Sequence, residues 1–519
     1  MKKPYANEPF TDFSLPQNVQ AFRAGLDQVR AQLGRTYPLI IGGEKIFTDE
    51  VIVSRNPAEP TQVIGRVSQA TPELADRAVR EAARAFDHWR RIPPAERARY
   101  LFSAARIMRE RRHRFSAMLV LEAGKTWVEA DVDTAEAIDF LEFYGREMLR
   151  LGKPHPTHPE PNHETELHYI PLGVGVVIPP WNFPNAIVTG MTSATIVTGN
   201  TAVLKPASAT PVMAAWLAEL FVDELHLPAG VLNYLPGPGG AVGDVLVDHP
   251  LTRFVAFTGS KEVGIRIHQR AAAVQPGQKW LKRTILEMGG KDAILVDETA
   301  DLDEAAAGIV SAAFGYSGQK CSACSRAIIV DAVYDELLAK IVERTNKLNV
   351  GDPASGPGID LGPVIDEKAL TKHLEYIGIG KSEGRVVAGG EALPTPAGGY
   401  YLQPTVIADV APNARLAQEE VFGPVLAVIR AKDFVEGLEI ANNTEYGLTG
   451  SLYSMRRDRL ECVRGEFHVG NLYLNRKCTG ALVGVHPFGG FNMSGTDSKA
   501  GGPDYLPLFL QGKVISERP

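Results

Sequence analysis

The sequence predicts an α/β protein built from two domains with parallel sheets. Apolar, strand-like runs alternate with helix-like segments in two regions, 170–275 and 286–470, and in the first the strands recur about thirty residues apart. Strands separated in this way by helices are typical of βαβ units, which form parallel sheets. The chain has 519 residues, more than one hydrophobic core usually organises, so two or three domains are expected.

The composition narrows the class of function. The chain is 45% hydrophobic and 22% charged, which is typical of a soluble globular protein. Its net charge of −7 argues against nucleic-acid binding, which needs a basic face. Four cysteines do not make a disulfide framework in so long a chain and favour a reducing, cytoplasmic compartment. Neither the start "MKKPYANEPF" nor any apolar run predicts a secretory signal or a membrane span.

The first 150 residues predict a series of helices. In "SLPQNVQAFRAGLDQVRAQLG" apolar residues recur at steps of three and four, and Ser14 is a candidate N-cap. A second helix begins after Thr71, its candidate cap. Two more helical patterns follow near 94–115 and 127–150, and we interpret their charged faces as solvated surface.

Two segments predict structure outside the domain cores. The stretch "GKPHPTHPEPNHETELHY" contains four histidines, but its prolines and solvating residues favour an exposed hairpin or linker over a metal site. The tail "YLPLFLQGKVIS" is apolar and has no helical pattern. It predicts a strand that pairs with another element or with another subunit.

Candidate nucleotide-binding residues follow two strand-like runs. Lys205 ends the run in "VLKPA", while Gly259 and Ser260 in "FTGSKEVG" follow a strand and open a helix. Parallel sheets bind ligands at the carboxyl ends of their strands, and N–H groups at a helix start can hold phosphate. The loop "LPGPGGAVG" fails the dinucleotide fingerprint G-x-G-x-x-G, because Val242 stands where the third glycine belongs. On these residues alone, a surface lysine is the simpler explanation of Lys205.

The stretch "GYSGQKCSAC" places Cys321 and Cys324 three positions apart. A zinc site needs a second pair, and Cys462 and Cys478 are too widely spaced to supply one. Lys320 and the small neighbours favour a reachable thiolate at Cys321, because nearby positive charge stabilises that reactive form. A thiol–zinc or redox protein and a buried structural cysteine stay open as alternatives.

Seven short motifs then occur in a fixed order. They are "PWNFP" (180–184), "LKPA" (204–207), "FTGS" (257–260), "LEMGGKD" (286–292), "GQKCSA" (318–323), "EEVFGPV" (419–425) and "PFGGF" (487–491). From about Leu39 to its end the chain resembles the NAD(P)-dependent aldehyde dehydrogenase superfamily. The resemblance implies a Rossmann-type NAD-binding domain, an α/β catalytic domain and a β-flap for oligomerisation. The implied boundaries are 1–151 and 171–285 for the NAD-binding domain with its N-terminal helical extension, 286–473 for the catalytic domain, and 152–170 with 474–519 for the flap and tail, including a substrate anchor loop at 478–488.

The resemblance also assigns catalytic roles. Cys321 would attack an aldehyde to give a thiohemiacetal and, after oxidation, a thioester. The side-chain amide of Asn182 and the backbone N–H of Cys321 would stabilise the oxyanion. Glu287 would deprotonate the hydrolytic water, a task that favours a carboxylate with a raised pKa. Because Glu287 can activate water, a CoA-acylating enzyme is disfavoured. A dinucleotide-binding protein without turnover stays an alternative. No metal site is implied.

For the cofactor, the resemblance assigns Lys205 to the adenosine ribose, Ser260 to the pyrophosphate and Glu420 to the nicotinamide ribose. The whole cofactor set is Lys205, Ser208, Gly259, Ser260, Gly264, Glu420 and Phe422. One position departs from the family pattern, since NAD-preferring members often carry glutamate where this chain has Ser208. The expected cofactor is NAD. Because serine brings no charge that would exclude a 2′-phosphate, NADP is the alternative.

Within the family, the N-terminal extension and "FHVGNLYLNRKCTGALVGVHPFGGFNMSGTDSKAGG" carry a closer resemblance, to members that oxidise L-glutamate γ-semialdehyde to L-glutamate in proline catabolism. That resemblance implies a substrate site in which Ser322, Gly480 and Ala481 anchor the α-carboxylate, and Phe183 and Phe488 flank the aliphatic chain. Another semialdehyde, such as succinate semialdehyde, is the alternative substrate, and core packing is the alternative role for the two phenylalanines. A homodimer or larger homo-oligomer is also implied.

Overall fold

A computed structural model describes residues 4–519 as two large α/β units with smaller sheets attached. The first three residues of the N-terminal segment, in which we predicted no secretory signal, lie outside the described range. No helix within the described range is long and apolar enough to span a membrane.

Fifteen α-helices occur in the described chain. They are α1 Pro16–Arg30, α2 Pro72–Trp89, α3 Pro94–Glu110, α4 Arg112–Ala123, α5 Trp127–Leu151, α6 Ala186–Val197, α7 Pro211–Glu219, α8 Asp244–Asp248, α9 Lys261–Ala272, α10 Leu302–Phe314, α11 Tyr334–Asn346, α12 Glu367–Glu383, α13 Arg415–Gln418, α14 Phe434–Asn442 and α15 Arg457–Glu466.

The strands of residues 4–519 form five sheets. In chain order the strands are β1 Arg35–Tyr37, β2 Leu39–Ile41, β3 Glu44–Ile46, β4 Val51–Asn56, β5 Glu59–Ser68, β6 His155–Pro156, β7 Glu164–Pro171, β8 Val174–Ile178, β9 Thr201–Leu204, β10 Leu232–Tyr234, β11 Thr252–Thr258, β12 Arg283–Glu287, β13 Ala293–Val296, β14 Arg326–Val330, β15 Arg385–Ala388, β16 Ala392–Leu393, β17 Tyr401–Leu402, β18 Thr405–Ala408, β19 Val425–Ala431, β20 Thr449–Tyr453, β21 Asn471–Leu474 and β22 Leu510–Glu517.

The first large sheet has seven strands in the order β12-β11-β8-β9-β10-β2-β3. The five strands from β12 to β10 run parallel, and β2 and β3 add an antiparallel edge. Helices cover both faces of the sheet, so its strands are apolar almost throughout and lie in two buried clusters. The switch of strand order beside β8 places the ends of β8, β9, β11 and β12 at one edge, where such sheets bind ligands.

The second large sheet has the order β15-β18-β19-β14-β13-β20-β21. All neighbouring strands are parallel except β15, which runs antiparallel to β18. The predicted α/β fold with two parallel sheets is therefore confirmed.

The two segments outside the cores pair with each other. Strand β22 of the tail runs antiparallel to β7 over eight residue pairs, and β6 pairs with the other side of β7. The interpretation of the histidine-rich stretch as a hairpin is confirmed. One cap was predicted wrongly, because α1 begins after Leu15, and Ser14 hydrogen-bonds Asp12 instead of the helix. The cap at Thr71 is confirmed, since its side chain accepts from the Leu74 N–H.

The interpretation of the charged face of α5 as solvated surface is wrong. Three aspartates of this helix, Asp131, Asp133 and Asp139, are at most 4% exposed. Each accepts hydrogen bonds from a neighbouring segment of the chain, so packing against other elements, and not water, satisfies their charge. The periodicity located the helix correctly but could not reveal what covers each face.

Candidate active site

The loop that carries Cys321 has an unusual backbone. Tyr316 and Ser317 lie in the left-handed region with φ of 52° and 53°, where side chains other than glycine are uncommon. Two hydrogen bonds hold this shape, from the Tyr316 hydroxyl to the Ala123 carbonyl (2.9 Å) and from Ser317 Oγ to the Gly362 carbonyl (2.7 Å). The loop therefore leaves Cys321 partly exposed on a fixed backbone, while Cys324 is 1% exposed in the core behind it.

One cavity brings together seven of the predicted site residues. It is lined by Cys321, Glu287, Ser322, Gly480, Ala481, Phe183 and Phe488. The two phenylalanines thus face the cavity rather than serving only as core packing. Thr258 and Met288 line the same cavity from the ends of β11 and β12, so it reaches the ligand-binding edge of the first sheet.

Glu287 ends β12 and is held by a residue from the C-terminal part of the chain. Ser498 donates a short hydrogen bond to Glu287 Oε1, and Oε2 has no hydrogen-bond partner within residues 4–519. Burial raises the pKa of Glu287 to about 8, although the contacts with Ser498, Lys499 and Gly490 act to lower it. A carboxyl group with a free oxygen and a near-neutral pKa has the properties of a general base that operates at physiological pH.

Cys321 has a different electrostatic environment from the one that we expected. Burial raises the pKa of Cys321 well above its usual range, and the nearby acids Asp292 and Glu420 add to the effect. The expectation that Lys320 favours the thiolate is not met, because its ammonium pairs with Glu129 at 2.7 Å. This environment favours the neutral thiol over the thiolate, so a base or a nearby positive charge would be needed to raise the thiolate fraction.

Asn182 lies in the loop between β8 and α6 and is 4% exposed. Its side-chain amide donates to the carbonyl of Gln319 at 3.0 Å, two residues before the nucleophile. This hydrogen bond joins the Asn182 loop to the Cys321 loop, so the amide lies beside the backbone that would form the rest of an oxyanion site.

The anchor loop, residues 478–488, approaches the cavity through small residues. Gly480 has φ of +82°, a conformation that favours glycine. Arg476 donates to the carbonyls of Thr479 (3.1 Å) and Gly480 (3.2 Å), which fixes the loop from outside. Its peptide groups can therefore come close to an anionic ligand.

A buried ion pair supports Phe183. Lys125 and Asp133 are both fully buried and lie 3.0 Å apart. The ammonium of Lys125 also lies 3.8 Å from the ring centroid of Phe183 and 4.4 Å from that of Tyr316. One cation thus contacts an aromatic wall of the cavity and the strained turn before Cys321.

The residues predicted to bind a dinucleotide follow β9 and β11 at the edge of the first sheet. Lys205 is 6% exposed, and its ammonium bonds only the carbonyl of Pro206 within the described chain, at 3.4 Å. Burial lowers the pKa of Lys205 to about 8. Ser260 caps α9, so the N–H groups of the first turn of α9 lie at the same edge of the sheet. Ser208 is exposed. Gly264 packs so closely on Met288 that a Cβ would lie 2.4 Å from the sulfur.

Glu420 and Phe422 line a second, smaller cavity, which shares Lys320 with the first. Glu420 accepts a hydrogen bond from the Gly290 N–H at 3.0 Å, and burial raises its pKa. Phe422 has φ of 61° and packs edge-on against Trp181 at 5.5 Å. Lys205, which is buried and has no acid partner among residues 4–519, would suit one ribose, the N-terminus of α9 the phosphates, and the buried carboxylate of Glu420 the other ribose of a dinucleotide.

The sequence reasoning missed the wall that α5 contributes. This wall comprises Glu129, Val132, Glu136, Phe140 and Tyr144, which share one face of the helix. Burial raises the pKa of Glu136 to about 8. Burial acts to raise the pKa of Glu129 too, but Lys320 and Lys125 hold it below its ordinary value. The signal available was the spacing of seven residues, two helical turns, between Glu129 and Glu136, with the apolar residues Val132 and Phe140 on the same face of the helix.

Comparisons with known proteins agree with this geometry. The model of the aldehyde dehydrogenase family matches residues 47–515. The 1-pyrroline-5-carboxylate dehydrogenase of Geobacillus thermodenitrificans is 62% identical over 517 residues, which cover 100% of both chains. The crystal structure of 1-pyrroline-5-carboxylate dehydrogenase from Thermus with bound NAD is 50% identical, with a TM-score of 0.97 and 100% coverage of both chains.

A more distant structure shares the same fold. Lactaldehyde dehydrogenase from Escherichia coli is 32% identical, with a TM-score of 0.87, and the match covers 94% of this chain and 100% of that one. Family model, relatives and folds all lead to one assignment: the chain is a member of the aldehyde dehydrogenase family.

Proposed function

We propose that this chain oxidises L-glutamate γ-semialdehyde, the open form of 1-pyrroline-5-carboxylate, to L-glutamate with NAD as the oxidant. The observation that carries the proposal is the single cavity in which Cys321 and Glu287 lie with Ser322 and the small residues of the anchor loop. The relatives named 1-pyrroline-5-carboxylate dehydrogenase, which match the whole chain, support the same substrate. The reaction would be the last step of proline catabolism.

The residues of the chain divide the reaction between them. The Cys321 thiol releases its proton to water, its Sγ adds to the aldehyde carbon, and the Asn182 amide with the Cys321 N–H holds the oxygen that becomes negative. NAD, when bound, would supply the acceptor for the hydride that leaves this carbon. Loss of that hydride re-forms the carbonyl and leaves the acyl group on Cys321 as a thioester. Glu287 takes a proton from water, the resulting hydroxide attacks the thioester carbon, and the Cys321 thiolate leaves.

The cavity also offers partners for the amino-acid end of this substrate. The Ser322 hydroxyl and the peptide groups at Gly480 and Ala481 would bind the α-carboxylate. Glu136, on the α5 wall, would bind the α-ammonium, since an adjacent positive charge favours the ionised form of a buried carboxyl group. Phe183 and Phe488 would flank the aliphatic chain. A substrate without the amino-acid end would leave these groups unused.

For the cofactor, Lys205, Ser260 and Glu420 would hold the adenosine ribose, the pyrophosphate and the nicotinamide ribose. Gly259 and Gly264 would allow the close backbone approach, and Phe422 would shape the Glu420 turn. The uncharged Ser208 leaves binding of NADP open in physical terms, because nothing at that position repels a 2′-phosphate.

We also propose the domain boundaries, oligomerisation and compartment that the resemblance implies. The NAD-binding domain would comprise 1–151 and 171–285, and the catalytic domain 286–473. The flap and tail would mediate a homo-oligomer, which is supported by the exposed apolar residues Val514 (62%) and Ile515 (44%) on the outermost strand β22. A cytoplasmic location is supported by the need to keep the Cys321 thiol reduced.

The test is the rate of reduced-nicotinamide formation with 1-pyrroline-5-carboxylate, succinate semialdehyde and propanal, with NAD and NADP offered separately. Wild type should prefer the first substrate, and Cys321→Ser should lose at least about a thousandfold in kcat. Cys462→Ser, which changes an exposed cysteine, is the matched control and should keep full activity.

Two results would contradict the proposal in different ways. Preference for succinate semialdehyde would overturn the substrate but leave the nucleophile in place. Equal rates for wild type and Cys321→Ser would overturn the catalytic role of Cys321. The NAD to NADP ratio of kcat/KM measures how far Ser208 relaxes cofactor choice.

A further inference from the structure

The N-terminal segment, residues 5–11, hydrogen-bonds the outer face of α5. The Glu8 N–H donates to Asp139 Oδ1 at 2.7 Å. The N–H and the hydroxyl of Thr11 both donate to Asp131, each at 2.7 Å. Asp131 and Asp139 are almost fully buried, so these bonds lie away from competing water and are correspondingly strong.

The same segment also binds the anchor loop. The Tyr5 hydroxyl donates to the carbonyl of Val483 at 3.0 Å. The amide nitrogen of Asn7 donates to that carbonyl and to Asp139 Oδ2, both at 2.9 Å. One side chain thus joins α5 directly to the anchor loop.

Packing adds to the contact with the loop. Gly484 has φ of +77°, and a Cβ there would lie 2.8 Å from the ring of Tyr5 and 3.1 Å from that of Phe143. The Tyr5 and Phe143 rings themselves pack edge-on at 5.3 Å. The aromatic pair therefore rests on the bare backbone of the loop, which keeps the loop close to α5.

The segment is itself fixed to the helices beside it. Arg109 donates to Glu8 at 2.8 Å. Arg112 donates two hydrogen bonds of 2.6 Å to Asp131 and one of 2.5 Å to the Pro9 carbonyl. These bonds fix the middle of the segment to α3 and α4, so a displacement of α5 or of the anchor loop would break several bonds at once.

The two elements that the segment joins both line the cavity. From α5 the lining residues include Glu129 and Glu136, and Asp139, which the segment holds, lies just under one helical turn beyond Glu136. From the anchor loop they are Gly480 and Ala481. The distance between these groups decides whether one ligand can place its carboxylate on the anchor loop and its ammonium on Glu136 at the same time.

We propose that residues 5–11 form a positioning strap that sets the spacing between α5 and the anchor loop, and thereby the affinity for the amino-acid end of the substrate. The inference rests on the proposed function, because it assigns the two ends of that substrate to these two elements. None of residues 5–11 lines the cavity, so the strap acts through α5 and the anchor loop, which do.

The test compares wild type with Tyr5→Phe, Asn7→Ala and the double variant. For the double variant we expect KM for 1-pyrroline-5-carboxylate to rise about tenfold. The kcat and KM for propanal, which has no amino-acid end, should stay within about twofold. Binding of the product L-glutamate to a Cys321→Ser background should weaken by the same factor as KM rises, which gives a readout without turnover.

Asn18→Ala is the matched control, because Asn18 lies in the same N-terminal region but its side chain donates to the Asp12 carbonyl, at 2.8 Å, and to neither α5 nor the anchor loop. If the double variant does not fold, Tyr5→Phe, which removes one hydroxyl and keeps the ring on Gly484, carries the test. Equal loss with propanal and 1-pyrroline-5-carboxylate would show a merely structural role and overturn the proposal, as would unchanged KM and glutamate binding. A wild type that is inactive on 1-pyrroline-5-carboxylate would instead overturn the proposed function.

Discussion

Two walls of the cavity are built on different principles. One wall, the loop wall, carries Cys321, in the loop between α10 and β14, and Glu287, at the end of β12, with the dinucleotide edge beside it. The other is a face of the single long helix α5, which carries Glu129 and Glu136. The position of the groups on the first wall depends on the shape of the backbone, as the left-handed turn at Tyr316 and Ser317 illustrates. The position of the groups on the second wall depends on the elements that pack against the other faces of α5.

The loop wall carries the residues that make and break bonds, and the helix wall carries residues that would recognise the substrate. Groups on the loop wall can make and break bonds because the strands and the strained turn fix their backbones. Groups on the helix wall are spaced by the helical repeat and supported from outside by the N-terminal segment and by Lys125. Changes at Cys321 and Glu287 should therefore affect every aldehyde, whereas changes in the helix wall or in the anchor loop should affect mainly substrates with an amino-acid end.

Glu287→Gln should have the largest effect and should not distinguish between aldehydes. The amide cannot accept a proton from water, so kcat should fall about a thousandfold with 1-pyrroline-5-carboxylate and with propanal alike. Cys321 would still be acylated once, so rapid mixing should show a burst of about one reduced nicotinamide per active site. A variant without a burst would place Glu287 in acylation rather than in hydrolysis.

Gly480→Val tests the point where the anchor loop meets the substrate. Gly480 has φ of +82°, so a β-branched side chain would force the loop to move. We expect kcat/KM to fall by at least about tenfold for 1-pyrroline-5-carboxylate and by less than about threefold for propanal. Gly465→Val, in α15 with open space around the Cα, controls for a general effect of valine. Equal losses on both aldehydes would remove the anchor loop from substrate recognition.

Glu136→Gln tests the helix wall directly. The variant keeps the volume of the side chain but cannot pair with an ammonium group, so KM for 1-pyrroline-5-carboxylate should rise about tenfold while propanal kinetics stay unchanged. Steady-state kinetics with both aldehydes measure this split. Glu142→Gln, further along α5 and outside the residues that line the cavity, is the matched control. Unchanged KM would leave the ammonium without its proposed partner.

The sequence predicted the loop wall and the dinucleotide edge beside it far better than the helix wall, for a physical reason. Residues that follow parallel strands converge at one edge wherever the chain goes next, so short local motifs predict positions such as Lys205 and Ser260. On α5 the apolar pattern showed a helix, but its acids looked like solvated surface. Only the packing of residues 5–11 on Asp139 and the lining of the cavity by Glu136 reveal that neither acid faces bulk water.

Ser498→Ala should have the smallest effect. It tests how one residue beside the loop wall sets the pKa of Glu287, and it does not compare the two walls. Glu287 acts as a base only when ionised, so hydrolysis should fall as pH drops below its pKa of about 8. The hydrogen bond from Ser498 acts to lower that pKa. Its removal should shift the acidic limb of the pH–kcat profile to higher pH, by less than about one unit. Thr496→Ser, which keeps a hydroxyl on the same segment, should leave the limb in place, and a shift to lower pH would mean that Ser498 holds Glu287 in its neutral form.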